Sequence, residues 1–455
     1  MPTAYTILFL LLILVAAATW IIPAGSYDYV DGVPVAGTYH PVEQNPQGVG
    51  DVLKAAFSGF YDAVDVCIFI LMVGGFLGVV MKTGAVDAGV GNVIRLLGGR
   101  EKWLIPILML LFGLGGTTYG MWEETMAFYP LLIPVFLAAG YDAVVGISVI
   151  LLGAGAGVIA STVNPFATGI AAGFAGVSLG EGIVLRLLEW VAFEAAAIWF
   201  VMAYAAKVKK NPSKSVVGVG AGKIQVSMDQ QVPFTAKRKV IMALFTLTFL
   251  IMVYAVVPFD EMGLSLPALG WWFPELSALF LVAGVVIGLI DRMSEEELVE
   301  TYVAGCADLL GVAFIIGISR GITVLMNDGA ITDTVLHWGE QALSGAGAIS
   351  FTLLVFALYL PLTILIPSSS GLATLSIPIV APLGKFAGVG GDLVVTAFQS
   401  ASGLVNIITP TAAVVMGALA LGHVPYDRWV KYVWKLILWF LLLALAFLVA
   451  GVLLG

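Results

Sequence analysis

The chain is short of charge. Only 11% of its 455 residues are Asp, Glu, Lys or Arg, against about 25% in soluble domains. A protein of this length that presents its whole surface to water is excluded by that shortage. Cysteine is nearly missing as well. Cys67 and Cys306 both lie in apolar runs and read as packed thiols, not as a disulfide or metal pair. Histidine occurs three times, at His40, His337 and His423, each in an expected loop. An intramembrane protease built on Ser and His therefore has no histidine to use. Asp142 and Asp392 fall at span starts, where a helix N-terminus favours an acid, and read as caps. An enzyme is not expected. The net charge is −9, and neither a nucleic-acid partner nor a cofactor is expected.

What the chain does have is apolar length. It is 60% hydrophobic, with 53 glycines and a mean hydropathy of +1.04. That fits a polytopic helical membrane protein, whose outer face needs no charge and whose helices pack through small residues. The run from Thr3 to Ile22 has no basic start and no small-residue cleavage pattern. It reads as a first span, not a removed leader. Spans of about 20 residues are expected near 4–24, 58–81, 145–172, 183–206, 239–258, 276–291, 303–326, 392–420 and 429–454. Two apolar stretches, 103–139 and 350–388, are interrupted in the middle by Gly, Thr, Ser and Pro.

Lys and Arg set the orientation. Segment 207–238 is basic, holding Lys207, Lys209, Lys210 and Lys214 among others, and reads as a cytoplasmic linker. Segment 82–102 is also inside. Segments 26–53, 259–275 and 327–349 carry acids but no Lys or Arg, so they face out. The loop 292–302, with Arg292 and four glutamates, is placed inside, because acids count for little in this rule. Stretch 103–139 must then begin and end inside, and 350–388 must begin and end outside. Each is expected as a re-entrant helical hairpin.

The chain repeats itself. "MKTGAVDAGVGNV" from Met81 matches "MNDGAITDTVLHW" from Met326, and "ASTVNPFATG" from Ala160 matches "VNIITPTAAV" from Val405 at the same offset. "YPLLIPVFLAAGYDAVV" from Tyr129 matches "IPIVAPLGKFAGVGGDLVV" from Ile377 with small gaps. The expected fold is therefore all-α and polytopic, with two inverted-topology repeats. Each repeat has a re-entrant hairpin and a Pro-broken helix. The expected division is an N-terminal span and outer loop (1–55) and repeat 1 (56–206; hairpin 103–139, broken helix 143–172). The basic linker (207–238) and connecting spans (239–300) follow. Repeat 2 (301–455) has hairpin 350–388 and broken helix 392–420. Inverted repeats with broken helices mark secondary transporters, whose site lies where the repeats meet.

Four polar breaks carry the candidate chemistry. They are "TTYGMWEET" (117–125), "STVNP" (161–165), "PSSSGLAT" (367–374) and "NIITP" (406–410). Proline opens a helix just ahead of itself. Pro165 and Pro410 should free carbonyls beside Ser161, Thr162, Asn164, Asn406 and Thr409. Uncharged oxygens of that kind suit a desolvated Na⁺, with Ser161, Asn164, Asn406 and Thr409 as its ligands. The hydroxyl tip Ser368, Ser369, Ser370 and Gly371, at a helix N-terminus, suits a carboxylate. The first tip instead carries Glu123 and Glu124, with Thr117, Thr118, Trp122 and Thr125 around them. A buried carboxylate costs roughly 3 kcal/mol or more to insert and is a functional candidate by default. Three roles stay open: counter-ion for a solute ammonium, proton coupling at Glu123, or pairing with Arg320, which lies inside the span 303–326. Glu189 and Glu194, in the span 183–206, either pair with Arg186 or face water.

The segments "STVNPFATG" and "ITPTAAVVMG", the opening "PTAYTILFLLLILVAAATWIIPAGSY" and "FLGVVMKTGAVDAGVGNVI" resemble the YfcC-like branch of the DcuC-type carriers, within the ion-transporter superfamily. The resemblance covers essentially the whole chain. It implies a secondary carrier or exchanger in a bacterial or archaeal cytoplasmic membrane, with Na⁺ or H⁺ as coupling ion. It also implies a small polar substrate, either a C4-dicarboxylate or a basic amino acid such as arginine or ornithine, and a homodimer, since carriers of this superfamily often form one. In the sodium-dicarboxylate branch, Ser-Asn-Thr tips hold the carboxylates. Glu123 and Glu124 depart from that pattern, which favours an amino-acid-like solute. A channel is the remote alternative.

Overall fold

A computed structural model describes residues 4–30, 33–86, 88–89, 100–118, 120–178, 180–218, 233–256, 266–267, 269–271 and 273–454. Among the described residues the protein is helical, with two short antiparallel ribbons, β1 (Gly25–Ser26) with β4 (His40–Pro41) and β2 (Tyr29–Val30) with β3 (Val33–Pro34). Among the described residues, five helices are long and apolar enough to cross a membrane: α3 (Val64–Lys82), α10 (Phe273–Asp291), α11 (Glu295–Asp328), α13 (Ala348–Leu365) and α17 (Tyr426–Leu454). They sit among α1 (Ala4–Ala18), α2 (Val49–Asp62), α4 (Leu104–Thr118), α5 (Tyr129–Ala138), α6 (Ala143–Ile159) and α7 (Ile170–Ala175). The remainder are α8 (Ile183–Lys210), α9 (Ala236–Val256), α12 (Thr332–Leu343), α14 (Ser369–Phe386), α15 (Gly391–Asn406) and α16 (Ala413–Leu421).

One order of elements occurs twice. A long helix (α3, α11) precedes a helix–break–helix pair (α4 and α5; α13 and α14). A buried helix, a break and a short helix follow (α6 and α7; α15 and α16), then a long closing helix (α8, α17). Helices α6 and α15 are the centre of the molecule. Every residue of α6 is buried, and so is all of α15 except Asp392. The two meet where Gln399 Nε2 donates to the Val158 carbonyl at 2.7 Å. Asp142 caps α6 by accepting from the Val145 N–H at 3.0 Å, which satisfies one orphan donor of the first turn.

Helix α11 packs along α2 and α3. Glycine makes the approach possible, since a Cβ on Gly74 would stand 2.5 Å from the Gly305 carbonyl oxygen. A second apolar cluster, with Leu8 and Leu12 of α1 and Ile318 and Ile322 of α11, fixes the first helix to the same element.

Several boundaries differ from the hydropathy expectation. Residues 49–82, expected as the end of an outer loop and a span at 58–81, are two helices broken at Ala63. Helix α2 buries Val52, Ala55, Ala56 and Gly59, a helical stripe that averaging over a span-length window hides. The expected loop 292–302 is mostly the start of α11. Ser294 Oγ accepts from the Glu297 N–H at 3.1 Å, and Glu295, Glu296 and Glu297 stand in the first turn, where the helix dipole favours them. Segment 327–349 holds α12. Its Asp333 accepts from the Tyr27 N–H at 2.9 Å and the Tyr29 hydroxyl at 2.7 Å. The Tyr39 ring stacks on His337 with centroids 4.0 Å apart, so the β1–β4 ribbon is tied down on α12. Parts of the basic linker (219–232) and of segments 82–102 and 259–275 lie outside the described residues.

Candidate functional site

The four breaks come together around one cavity of about 150 Å³. The first tip contributes Gly120, Trp122, Glu123 and Glu124, and the first broken helix contributes Val158 and Asn164. Ser368, Ser369 and Ser370 of the second tip, and Asn406 and Thr411 beside the second broken helix, line it as well. Arg320 and Ser319 of α11 close a further side. Polar groups from both halves of the chain thus converge on a space the size of one small solute, below the ~300–1,000 Å³ of drug-sized pockets.

Local rules explain each placement. Helix α4 ends at Thr118, and the chain turns through Gly120, whose φ of +79° is a left-handed conformation that glycine adopts without strain. A Cβ there would also strike the Asn164 side chain at 2.5 Å. The next turn, Glu123–Phe128, is 3-10. It buries Glu124, which is 6% exposed and accepts from the Trp122 N–H at 3.1 Å. Ser368 caps α14 by accepting from the Gly371 N–H at 3.2 Å. That cap aims the positive end of an 18-residue helix at the cavity. The cavity is therefore lined both by two carboxylates and by a helix N-terminus with its hydroxyls.

Arg320 forms its ion pair with Asp62, Nε to Oδ2 3.9 Å, while its charge also acts on Glu123. Among the described residues, neither Glu123 nor Glu124 forms an ion pair. Beside the cavity runs a groove of about 1440 Å³, lined by Asp308, Asp427 and Lys431 and by the buried Val312, Ile315 and Met416. Ile316 and Val414, on the same helices as Ile315 and Met416, line the small cavity. Size alone would choose the groove, but the convergent polar groups are in the smaller space.

The sequence match is complete. The family model described as "DcuC: C4-dicarboxylate anaerobic carrier" matches residues 1–453. The chain belongs to the DcuC family. It is accordingly a multi-pass membrane transporter and not an enzyme, acting on a small molecule in a lipid bilayer. A Haemophilus influenzae (strain ATCC 51907 / DSM 11121 / KW20 / Rd) relative named "Uncharacterized protein" is 35% identical, over 99% of this chain and 97% of its own length. An Escherichia coli (strain K12) relative named "Putative basic amino acid antiporter YfcC" is 31% identical, over 95% of this chain and 92% of its own. Among solved structures, the Alcanivorax borkumensis YdaH transporter is similar with a TM-score of 0.45 and 14% identity, over 98% of both chains. Neisseria gonorrhoeae MtrF gives 0.44 and 18%, over 98% of this chain and 94% of its own. Neither of these two likenesses bears on substrate or mechanism.

In this DcuC-family chain the candidate residues divide. Trp122, Glu123, Glu124, Asn164, Arg320, Ser368, Ser369, Ser370 and Asn406 line the cavity. Others brace it. Thr117 Oγ1 donates to the Ala160 carbonyl at 2.8 Å, and Thr162 Oγ1 donates to the Thr117 carbonyl at 2.9 Å. Thr118 turns back on the Leu114 carbonyl at 2.6 Å. Thr125 donates to the Trp122 carbonyl, and Gly371 serves the Ser368 cap. Ser161 accepts from Thr168 at 2.8 Å, and Thr409 bonds Thr411 at 2.8 Å. The four oxygens expected to hold Na⁺ are thus split: Asn164 and Asn406 are on the cavity wall, whereas Ser161 and Thr409 are not among its lining.

Two of the carbonyls just ahead of Pro410 are occupied. Trp429 Nε1 donates to the Ile407 carbonyl at 3.1 Å, and the Tyr426 hydroxyl to that of Ile408 at 2.7 Å. Pairwise contacts between distant helices leave no local mark in sequence. Thr411 and Ser319 were missed as lining residues, although each directly neighbours a residue of interest, Pro410 and Arg320.

Proposed function

We propose that this transporter is a secondary carrier or exchanger of an amino-acid-like solute, first a basic amino acid such as arginine or ornithine. The observation that carries the reading is the polarity of the cavity. Among the described residues Glu123 and Glu124 line it without an ion pair, and Ser368–Ser370 at a helix N-terminus line it too. A solute ammonium or guanidinium meets the glutamates, with Trp122 beside them. Its carboxylate meets the second tip, with Arg320, Asn406 and Asn164 lining the same cavity. The name carried by the Escherichia coli relative supports this choice. A C4-dicarboxylate, which the family description supports, is the second reading, with the glutamates then left for coupling.

The transport cycle in this proposal is alternating access. The repeated element order supports an inverted pair of repeats. Helices α4 and α5, of 15 and 10 residues, rise about 22 and 15 Å, short of a ~30 Å hydrocarbon core. Those lengths support a re-entrant first hairpin. The groove beside α3, which ends at Lys82, is the route from the cytoplasm, on the side of the basic linker, in a cytoplasmic membrane. The coupling ion is Na⁺ or H⁺, and the assembly is a homodimer. Counterflow into proteoliposomes separates the readings. Labelled arginine, ornithine, a neutral amino acid and succinate are compared, with and without Na⁺ and a pH gradient. Arginine or ornithine exchange is the expected result. Succinate uptake with no amino-acid uptake would overturn it, and currents far above carrier turnover would point to a channel.

A further inference from the structure

Helix α8 carries a second acidic group that the cavity does not use. Glu194 is 2% exposed, and among the described residues neither of its carboxyl oxygens has a hydrogen-bond partner. It neither faces water nor pairs with Arg186, whose guanidinium reaches back to the Glu181 carbonyl at 2.9 Å. Its neighbour Glu189 is provided for differently, since Oε1 accepts from Ser400 Oγ at 2.8 Å.

Among the described residues, no counter-charge meets Glu194 from any packed element. Helices α4 and α6 contain no charged residue. The cap of α6, Asp142, is bonded to Tyr204 at 2.6 Å, ten residues along α8 from Glu194 and so about 15 Å away. On α17, Asp427, Arg428, Lys431 and Lys435 all lie in the first ten residues, whereas Phe440 is what meets Phe193, with centroids 4.7 Å apart. On α15, Asp392 lies against Gly182 at the start of α8. Lys214 lies beyond the far end of α8. On α8 itself, Arg186 and Glu189 precede Glu194 by eight and five residues. An unpaired carboxylate in such a place costs several kcal/mol and is relieved by taking up a proton. A metal ion would need several oxygens, and the surface opposite is glycine.

That glycine gives the group its leverage. Glu194 lies directly against Gly113 of α4, where any Cβ would collide with Oε2. One turn further, α4 reaches Thr117, which is bolted to the first broken helix at Ala160 and Thr162. Just beyond come Gly120, Trp122 and the cavity glutamates. The charge state of Glu194 therefore bears on the same helix that positions the first tip.

We propose that Glu194 is a proton-coupling site of this carrier, binding one proton while α4 packs on α8 and releasing it when α4 moves away. The inference rests on the carrier reading above, and deepens it. Two readouts on the full protein test it. Difference infrared spectra between acidic and alkaline buffers, without any solute, report protonated carboxyl. A C=O band lost in Glu194→Gln and kept in Glu189→Gln is expected, and identical wild-type and Glu194→Gln spectra would overturn the assignment. In proteoliposomes, Glu194→Gln should keep arginine counterflow but lose uphill arginine uptake driven by a pH gradient. Wild-type gradient-driven uptake in this variant would also overturn the site. Gly113→Ala keeps the carboxyl but wedges it off α4, so the midpoint of pH-dependent uptake should move to lower pH; an unmoved midpoint counts against the proposal. If wild-type protein exchanges none of the four labelled solutes, the carrier reading fails, while the infrared comparison still decides Glu194.

Discussion

Arg320 and Asp62 are paired across α11 and α2 at 3.9 Å, and Glu123, on the same cavity as Arg320, is left out of the pair. The Asp62 side chain is 54% exposed, so the pair contributes little to stability and leaves the guanidinium available to a solute carboxylate. Arg320→Gln should lose a charge-assisted hydrogen bond of about 1.5–3 kcal/mol, or about 10- to 100-fold in apparent affinity. Asp62→Asn should change affinity by less than about threefold. The concentration dependence of counterflow measures both. Equal losses in the two variants would make the ion pair structural.

Thr162 holds the first broken helix to the first tip, its Oγ1 donating to the Thr117 carbonyl at 2.9 Å and its N–H to Thr117 Oγ1 at 3.1 Å. Replacing either with Val removes buried hydrogen bonds worth about 1 kcal/mol each and strands their partners. Apparent unfolding midpoints in detergent should fall in Thr117→Val and in Thr162→Val. The double variant should fall by less than the two shifts added, because the residues share the same bonds.

Asp333 collects the Tyr27 N–H, the Tyr29 hydroxyl and, at 3.4 Å, the Ser26 hydroxyl. Asp333→Ala leaves those donors unpaired at a cost of about 1–3 kcal/mol. Limited proteolysis should then cut the 25–41 ribbon faster than in the wild type, with the helical core still intact.

The groove makes a prediction about sidedness. With Cys67 and Cys306 replaced, a cysteine at Asp308 or Ile315 should react with a membrane-impermeant maleimide from the face bearing Lys207–Lys210, and saturating arginine should slow the reaction at Ile315. Labelling from the opposite face would reverse the assigned route.

Much of this arrangement is legible in the chain. The four polar interruptions of otherwise apolar runs locate the cavity, because nothing but a lined space justifies Glu123 or Ser368–Ser370 at those positions. The family is legible for the same reason, through long motifs such as "STVNPFATG". Sequence fails where a contact joins distant elements. Nothing near Ile407 announces that Trp429 will take its carbonyl, nor does Gly113 announce Glu194. Averaged hydropathy fails differently. It leaves most of α2 in a loop because only one face of α2 is apolar, and it reads the Glu295–Glu297 turn as a loop because it ignores the Ser294 cap.

The central claim is that Glu123 and Glu124 meet a positive charge on the solute. The most direct measurement is counterflow of labelled arginine and of a neutral amino acid by Glu123→Gln, Glu124→Gln and the double variant, each compared with wild-type protein. The account predicts that arginine exchange falls at least tenfold in the double variant, while any neutral amino-acid exchange shown by the wild type falls far less. Undiminished arginine exchange in all three variants would contradict it.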